Sequence, residues 1–287
     1  MIINNKDVKT LFMGSSEFSI GVLNELKKYN SLPDVILTSI DKPQGRKMVI
    51  TPNEVKVWGL ENNIPVITPT SLRTPEFLEI AKQYELQIVA SFGRIIPQSV
   101  LEASKYGSIN IHPSLLPKYR GPSPLQTAIL NDDKDTGISI MLLDAEVDHG
   151  PILGQIKPQL PYWPMSFDEL STFTAIEGTK FLLELLPRWI NGEIKAIPQD
   201  HSKATFTKKV EKVDGEIKLE DDPYKNTLKI KAYSKWPNAY FFINRHNQKI
   251  RVIIKSADFE DNKLVIKKVV PEGKKEMNYE DFLKGLK

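Results

Sequence analysis

Two short polar clusters contain residue types that could act together on a carbonyl group. Asn110 and His112 lie in the alternating run Ser108-Ile109-Asn110-Ile111-His112, which predicts a β-strand. Residues two apart on a strand point to the same side, so Asn110 and His112 share a face near the strand's C-terminal end. Asp144 and Asp148 follow another predicted strand. Ligand crevices of open α/β sheets lie at such strand ends, so these side chains are candidates for one site.

An amide, an imidazole and a carboxylate are suited to acyl transfer onto an amine. Negative charge then develops on the carbonyl oxygen, to which the Asn110 amide could donate a hydrogen bond. His112 could donate to that oxygen as well or relay the amine proton. Asp148 could hold the His112 ring in one tautomer and stabilise its charged form. An Asn-x-His pair on a strand is also a frequent structural pair, so the pattern alone leaves a purely structural role open.

Other kinds of site have less support in the sequence. The turn Gly14-Ser15-Ser16-Glu17-Phe18 has neither a dinucleotide-binding nor a P-loop pattern. The four histidines show no metal-ligand spacing, so no metal is expected. Asp144 and Asp148 could form a carboxylate pair, but nothing else indicates glycosidase chemistry.

Alternating strand and helix patterns must position these residues. They predict a Rossmann-like α/β fold, with a doubly wound, mostly parallel sheet. The predicted strands are 8–13, 35–40, 65–67, 87–92, 109–112, 138–143 and 152–156, and the predicted helices are 19–28, 52–62, 75–84 and 167–190.

The C-terminal part has a different pattern and charge. Residues 1–190 are expected to form a catalytic domain, 191–205 a polar linker, and 206–287 a small β-rich domain with a helix at 224–233 and strands at 239–243, 249–256 and 263–270. Residues 191–287 contain 21 Lys+Arg and 15 Asp+Glu, a net charge of +6, whereas residues 1–190 carry −3. This split suggests a polyanionic partner, and a solvated lysine-rich surface explains it about as well.

Composition limits the class of protein. A chain of 287 residues fits two domains, and its 40% hydrophobic and 26% charged residues are typical of a soluble globular protein. No apolar run is long enough to span a membrane, and the N-terminus does not resemble a signal peptide. Cysteine is absent, which is compatible with a reducing cytoplasm. A cytoplasmic location is therefore the expectation. The protein is also expected to act as a monomer.

The run from Ser108 to Gly121, together with Asp144–Gly150, resembles the signature of 10-formyltetrahydrofolate-dependent formyltransferases. Over nearly its full length the chain is similar to the methionyl-tRNA formyltransferases of that family. Further matching segments, in the family's order, are Leu11–Phe18, Asp41–Lys47, Lys231–Tyr240, Pro271–Met277 and Asp281–Leu283.

The resemblance implies a chemical role for each cluster. Asn110, His112 and Asp148 would be catalytic, so that Asp148 rather than Asp144 takes the third role. The co-substrate 10-formyltetrahydrofolate would transfer its formyl group to the α-amino group of methionine on initiator Met-tRNA, for translation initiation. The residues implied to contact the folate are Ser114, Leu115, Leu116, Pro117, Phe92, Gly93, Leu143 and Val147.

The same resemblance implies a tRNA-binding surface. The basic loop would contact the acceptor stem through Arg46 and Lys47, and Lys208 and Lys209 are further candidate contacts. The C-terminal domain would be an OB-like barrel holding tRNA through its basic face. Two features depart from the family. The loop after Pro43 is about two residues shorter than the usual form, and only 33 residues separate Pro237 from Pro271. Both lie in tRNA-binding parts, so they bear on the acceptor more than on the reaction.

Three alternatives remain open at this point. A formyltransferase acting on an amino sugar of a nucleotide sugar would share the Asn-x-His and Asp core, without usually having the Gly45-Arg46-Lys47 loop and lysine-rich tail. A non-catalytic RNA-binding protein would not need the intact trio. A folate-dependent hydrolase would place water where the amine is expected.

Overall fold

A computed structural model describes residues 8–44, 48–245 and 248–286. Contacts group the chain into two compact units. The first comprises residues up to 122, 136–158 and 172–206, and the second comprises 123–135, 159–171 and the residues from 207 onward. The segment 191–205, predicted as a linker, is part of the first unit, where Ile197 forms a β-bridge with Ile152.

The first unit is built on a seven-stranded sheet in the order β5-β2-β1-β6-β7-β8-β9, with a separate β3–β4 hairpin. Its strands are β1 (Thr10–Gly14), β2 (Val35–Leu37), β3 (Lys42–Gln44), β4 (Val49–Thr51), β5 (Val66–Ile67), β6 (Leu86–Ala90), β7 (Ser108–His112), β8 (Ile138–Leu142) and β9 (Ile152–Ile156). Its helices are α1 (Glu17–Lys28), α2 (Glu54–Glu61), α3 (Pro75–Ala81) and α4 (Gln98–Leu101).

Helices cover both faces of this sheet, so its strands are buried on both sides, as in doubly wound folds. Along β1, Phe12 belongs to one apolar cluster, with side chains of α1 and of the long helix α6 (Phe167–Ile190). The neighbouring Leu11 and Met13 belong to the opposite cluster, with side chains of α3 and α4. The predicted Rossmann-like α/β core is confirmed.

The reversed direction of strand β8 was not predicted. The five strands from β5 to β7 run parallel, whereas β8 runs antiparallel to both β7 and β9. Leu142 therefore lies opposite Ile109 at the start of β7, and Ser139 lies opposite His112 at its end. The segment that follows β8 consequently leaves the sheet beside the beginning of β7.

The second unit contains an antiparallel meander in the order β10-β11-β12-β13. Its elements are α5 (Pro124–Leu130), α7 (Pro223–Ala232), β10 (Tyr240–Arg245), β11 (Gln248–Glu260), β12 (Lys263–Pro271), β13 (Met277–Asn278) and α8 (Tyr279–Lys284). The predicted helix and strands of this region are confirmed. No pairing closes β10 onto β13 among the described residues, so the separate β-sheet is established and the OB-like barrel stays a prediction. No described helix has the length and apolar character to cross a bilayer.

Candidate active site

Strand β7 carries Asn110 and His112 on one face, as the alternation predicted. Both are buried, with 8% and 4% of their surface exposed. Asn110 pairs in register with Val89 of β6 and Met141 of β8. Its carboxamide makes no hydrogen bond with another described residue. The Asn110 amide is therefore an available donor beside the last residue of β7.

The His112 ring is held between two oxygen acceptors. Its Nε2 lies 3.0 Å from the carbonyl oxygen of Tyr119, and its Nδ1 lies 3.6 Å from Oδ1 of Asp148. Since a carbonyl oxygen only accepts, Nε2 carries the hydrogen in this contact. The Nδ1–Oδ1 distance is too long for a hydrogen bond. With the hydrogen on Nε2, Nδ1 of the neutral ring is an acceptor, so it can donate to the carboxylate only once it is protonated and after a small approach.

A left-handed turn brings Asp148 to the histidine. The backbone leaves β8 beside the start of β7, where the Leu143 amide donates to the Ser108 carbonyl at 2.8 Å. It then folds back, with Asp148 at a φ of 48°. Asp148 Oδ2 accepts a 2.7 Å hydrogen bond from the Gly121 amide, while Oδ1 faces His112. The structure thus brings His112 and Asp148 together.

Asp144, the other predicted carboxylate, pairs with a different histidine. Its Oδ2 lies 2.7 Å from His149 Nδ1, and the side chains of Asp144 and His149 are 33% and 29% exposed. The His149 ring stacks on His201, with centroids 4.0 Å apart and an interplanar angle of 2°. Among the described residues, no group of three or more His, Cys, Asp or Glu side chains could hold a metal ion.

The loop from Ser114 to Pro117 is fixed mainly by its backbone. Ser139 Oγ of β8 donates to the Ser114 carbonyl at 2.6 Å and accepts from the Leu116 amide at 3.0 Å. Ser114 is fully buried, and its hydroxyl donates to the Lys118 carbonyl. Leu116 is also buried, whereas Leu115 and Pro117 are partly exposed. The side chains of Leu115 and Pro117 are therefore the ones this loop leaves accessible.

The other residues expected at the folate differ in exposure. The Phe92 side chain packs in the apolar core, and its carbonyl accepts a 2.7 Å hydrogen bond from Ser15 Oγ. Gly93 follows at a φ of 69°, with a single atom, Ser15 Oγ at 3.8 Å, near the place of a Cβ. Leu143 is partly exposed and Val147 is 65% exposed.

Two of the four basic residues expected at the tRNA lie among the described residues. Lys208 and Lys209 are both exposed. Arg46 and Lys47 lie outside the described residues. Gln199, a residue not predicted from the sequence, is buried and bonds to Arg120 and to the backbone at Asp148. Nothing in its polar surroundings distinguished Gln199 from a solvated residue.

Comparison with known proteins identifies the family of this fold and site. A family model described as formyl transferase matches residues 8–182. A methionyl-tRNA formyltransferase of Chloroflexus aurantiacus is 39% identical over 256 residues, covering 88% of this chain and 82% of that protein.

Solved structures of the same fold include enzymes with different acceptors in their names. A methionyl-tRNA formyltransferase from Clostridium thermocellum has a TM-score of 0.64 at 18% identity, over 92% of this chain and 98% of that one. A sugar N-formyltransferase from a Shewanella species has a TM-score of 0.62 at 18% identity, over 84% and 95%. These two likenesses show the fold alone, whereas the sequence relatives and the family model show the family. The chain belongs to the formyl transferase family and, within it, to the methionyl-tRNA formyltransferases.

Proposed function

We propose that the protein transfers the formyl group of 10-formyltetrahydrofolate to the α-amino group of methionine on initiator Met-tRNA. The observation that carries this proposal is the placement of His112 between a fixed carbonyl and the Asp148 carboxylate. Two residues earlier on the strand, the Asn110 amide makes no hydrogen bond with any residue that the structure describes. The acceptor is supported by the sequence relative that covers most of the chain.

Asn110 stabilises the charge that develops on the formyl oxygen as the amine attacks. Its amide has no competing hydrogen bond with a described residue, and its burial strengthens electrostatic interactions with a developing oxyanion. Asn110→Ala should lower kcat about 100-fold or more. A change below about threefold in kcat, with the variant folded, would rule out this role.

His112 and Asp148 handle the proton that the amine loses. Because Nε2–H is directed at the Tyr119 carbonyl, Nδ1 is the ring atom that can accept. A proton arriving at Nδ1 would face Asp148 Oδ1, and charge-assisted hydrogen bonds of this kind shorten to about 2.7–2.9 Å. This arrangement favours proton relay by His112 over direct donation to the oxyanion, the two roles that the sequence left open.

The exposed and partly exposed apolar side chains among the residues predicted at the folate suit a flat, partly apolar co-substrate. The chemistry that 10-formyltetrahydrofolate supplies is an activated formyl group. Leu115, Pro117, Leu143 and Val147 would contact it through side chains, while Gly93 would allow close approach to the backbone. The buried Phe92, Ser114 and Leu116 would contribute through backbone groups or by shaping the loops.

The tRNA contacts are assigned to Arg46, Lys47, Lys208 and Lys209, with the C-terminal unit in an OB-like form. The excess of basic residues after position 190 supports an electrostatic contribution to binding. We further propose that the protein acts as a monomer and that it is cytoplasmic, the second because a chain without cysteine is compatible with a reducing compartment.

A competition assay tests the acceptor. Purified protein and 10-formyltetrahydrofolate would be given initiator Met-tRNA and a nucleotide-linked amino sugar together, and the formylated products measured. We expect formyl-Met-tRNA. Formylation of the sugar alone would contradict the proposal, as would release of formate without acceptor. Retention of Met-tRNA binding by a folded wild-type protein that formylates nothing would identify an RNA-binding protein instead.

Salt dependence tests the basic contacts. Lys208→Ala and Lys209→Ala should each weaken Met-tRNA binding. Each should also reduce the slope of log affinity against log salt by the amount expected for the loss of about one phosphate contact. Arg46→Ala should act in the same way. Lys82→Ala, which removes an exposed lysine paired with Glu79 in the first unit, is the matched control. If all three variants keep the wild-type slope, the assignment of these residues to the tRNA interface is contradicted.

A further inference from the structure

The tripeptide Tyr119-Arg120-Gly121 holds both His112 and Asp148 through its backbone. The Tyr119 carbonyl accepts from His112 Nε2 at 3.0 Å, and the Gly121 amide donates to Asp148 Oδ2 at 2.7 Å. The residue between these two contacts is Arg120. A restraint on the Arg120 backbone therefore contributes to the separation of the histidine and the carboxylate.

The Arg120 side chain is buried, with 3% of the residue exposed. Its Nε and Nη2 donate to Gln199 Oε1 at 3.1 and 2.6 Å, and Nη2 lies 2.8 Å from His201 Nδ1. The Arg120 backbone amide also donates to the Thr205 carbonyl at 2.9 Å. These partners all belong to the segment that follows α6.

Gln199 connects Arg120 back to Asp148. Its Nε2 donates to the carbonyl oxygens of Asp148 at 2.9 Å and Gly150 at 2.7 Å. A carboxamide nitrogen has two hydrogens, so one is available for each carbonyl. The hydrogen bonds thus form a closed ring, from Arg120 through Gln199 to the Asp148 backbone, and through the Asp148 carboxylate to Gly121.

This ring acts where the backbone needs support. Asp148 has a φ of 48°, a region that non-glycine residues adopt rarely and that persists when the surroundings restrain it. Gln199 bonds the carbonyls on both sides of residue 149 and thereby restrains this turn. The His112–Asp148 contact of 3.6 Å is just beyond hydrogen-bonding range, so a small shift of the turn decides whether a hydrogen bond can form.

We infer that Gln199, anchored by Arg120, is a positioning residue for the His112–Asp148 pair. The inference rests on the catalytic roles proposed above for those two residues. It makes the segment after α6 part of the catalytic centre, although neither Gln199 nor Arg120 needs to touch the substrate. The competing explanation is that these hydrogen bonds only stabilise the fold.

The chain offers a matched control in Gln87. This side chain is also buried, its Nε2 donates to the Val100 carbonyl and Ser104 Oγ at 2.9 Å each, and its Oε1 accepts from Ser108 Oγ at 2.8 Å. Its bonds lie near the first residue of β7 rather than the last. Gln87→Leu therefore removes a comparable buried carboxamide away from His112.

Two substitutions of Gln199 separate positioning from general stabilisation. Gln199→Leu removes every bond of the carboxamide. Gln199→Glu keeps an acceptor for Arg120 but places carboxylate oxygens against the Asp148 and Gly150 carbonyls, since it removes the N–H donors. We expect both to lower kcat about 10- to 100-fold, the scale of a displaced catalytic group, with KM for both substrates within about threefold. Gln87→Leu should lower Tm while kcat per folded molecule stays near wild type.

A double-mutant cycle tests whether Gln199 acts through Asp148. If it does, Gln199→Glu should have little further effect on kcat in an Asp148→Asn background. Independent effects that multiply in the double variant would overturn the inference, as would a Gln199→Glu variant with kcat within threefold of wild type. If Asp148→Asn itself retains full kcat, the proposed catalytic role fails first, so the two failures are distinguishable.

Discussion

Among the described residues, Asp144 and Asp148 each contact a different histidine, and the better hydrogen bond belongs to the pair less suited to catalysis. Asp144 and His149 are 2.7 Å apart, with about a third of each side chain exposed. Asp148 and His112 are 3.6 Å apart, with 13% and 5% of their side chains exposed. Solvent screening leaves the first pair weak despite its distance. In the second pair, burial increases the effect of any charge that moves onto the ring.

The pairs also differ in how they are held. His112 and Asp148 are each bonded to the backbone of residues 119–121, and these anchors leave Nδ1 and Oδ1 facing each other. His149 is held by a ring stack and a solvated carboxylate. Restraint and burial, rather than the contact distance, therefore distinguish the proposed catalytic pair.

The largest effect is expected from Asp148→Asn. An amide at this position can still accept from Gly121, but its NH₂ would donate to His112 Nδ1 and occupy the atom proposed to receive the amine proton. We expect kcat to fall about 10²- to 10⁴-fold, the range for loss of assisted proton transfer. The measurement is steady-state formylation of Met-tRNA. A kcat within threefold of wild type would show that the His112–Asp148 pair is no more important for catalysis than the His149–Asp144 pair.

An effect of intermediate size is expected from Tyr233, whose ionisation lowers the free energy of unfolding at high pH. This loss sets the upper pH limit for comparing the two histidine–carboxylate pairs. Burial, together with the Asp214 carboxylate, raises the pKa of Tyr233 to about 12. Between pH 10 and 12 the Tyr233 phenol therefore keeps its proton in the folded protein. In the unfolded chain its pKa has the ordinary value near 10, so the phenol loses its proton over the same range. This contribution is fully present below pH 10 and is lost as the pH rises from 10 towards 12.

Thermal unfolding between pH 9 and 12 checks this assignment. Wild-type Tm should fall across the upper part of this range, and the fall should be smaller for Tyr233→Phe, which has no phenol to ionise. Equal falls in the two proteins would contradict it. Rate–pH profiles of the histidine pairs should be compared below this range.

The smallest effect is expected from Asp144→Asn. The amide keeps the side-chain oxygen that accepts from the Glu146 backbone at 3.0 Å, so the local turn should persist. Because the pair with His149 is solvated, we expect kcat within threefold of wild type and a change in unfolding free energy below about 1 kcal/mol. A loss of kcat comparable to that of Asp148→Asn would show that exposure does not separate the two pairs.

The sequence predicted β7 and its shared face well because a two-residue period follows directly from strand geometry. It could not choose between Asp144 and Asp148, since both follow the same strand, and the choice came from family resemblance. The structure adds a physical difference between them. Asp148 adopts a left-handed turn and is bonded to Gly121, whereas Asp144 points to His149.

Other features had no local pattern that could reveal them. Parallel and antiparallel strands share the same alternation, so the reversed direction of β8 was not predictable from its residues. The segment containing Gln199 is polar and includes Gly192 and Pro198, which is typical of a linker. Its contribution depends on contacts with Arg120 and Asp148, which are 79 and 51 positions away in the chain. Hydrogen bonds between residues so far apart in the chain produce no periodic pattern in the local sequence.

The packing of the segment after α6 within the first unit has a practical consequence for protein engineering. A fragment cut at residue 182, where the family match ends, would contain Asn110, His112 and Asp148 yet lack both Gln199 and Thr205. The same holds for a cut at 190. A chimera that takes only the part of the second unit after Phe206 from a relative should therefore place its junction directly after that residue, the last of the first unit.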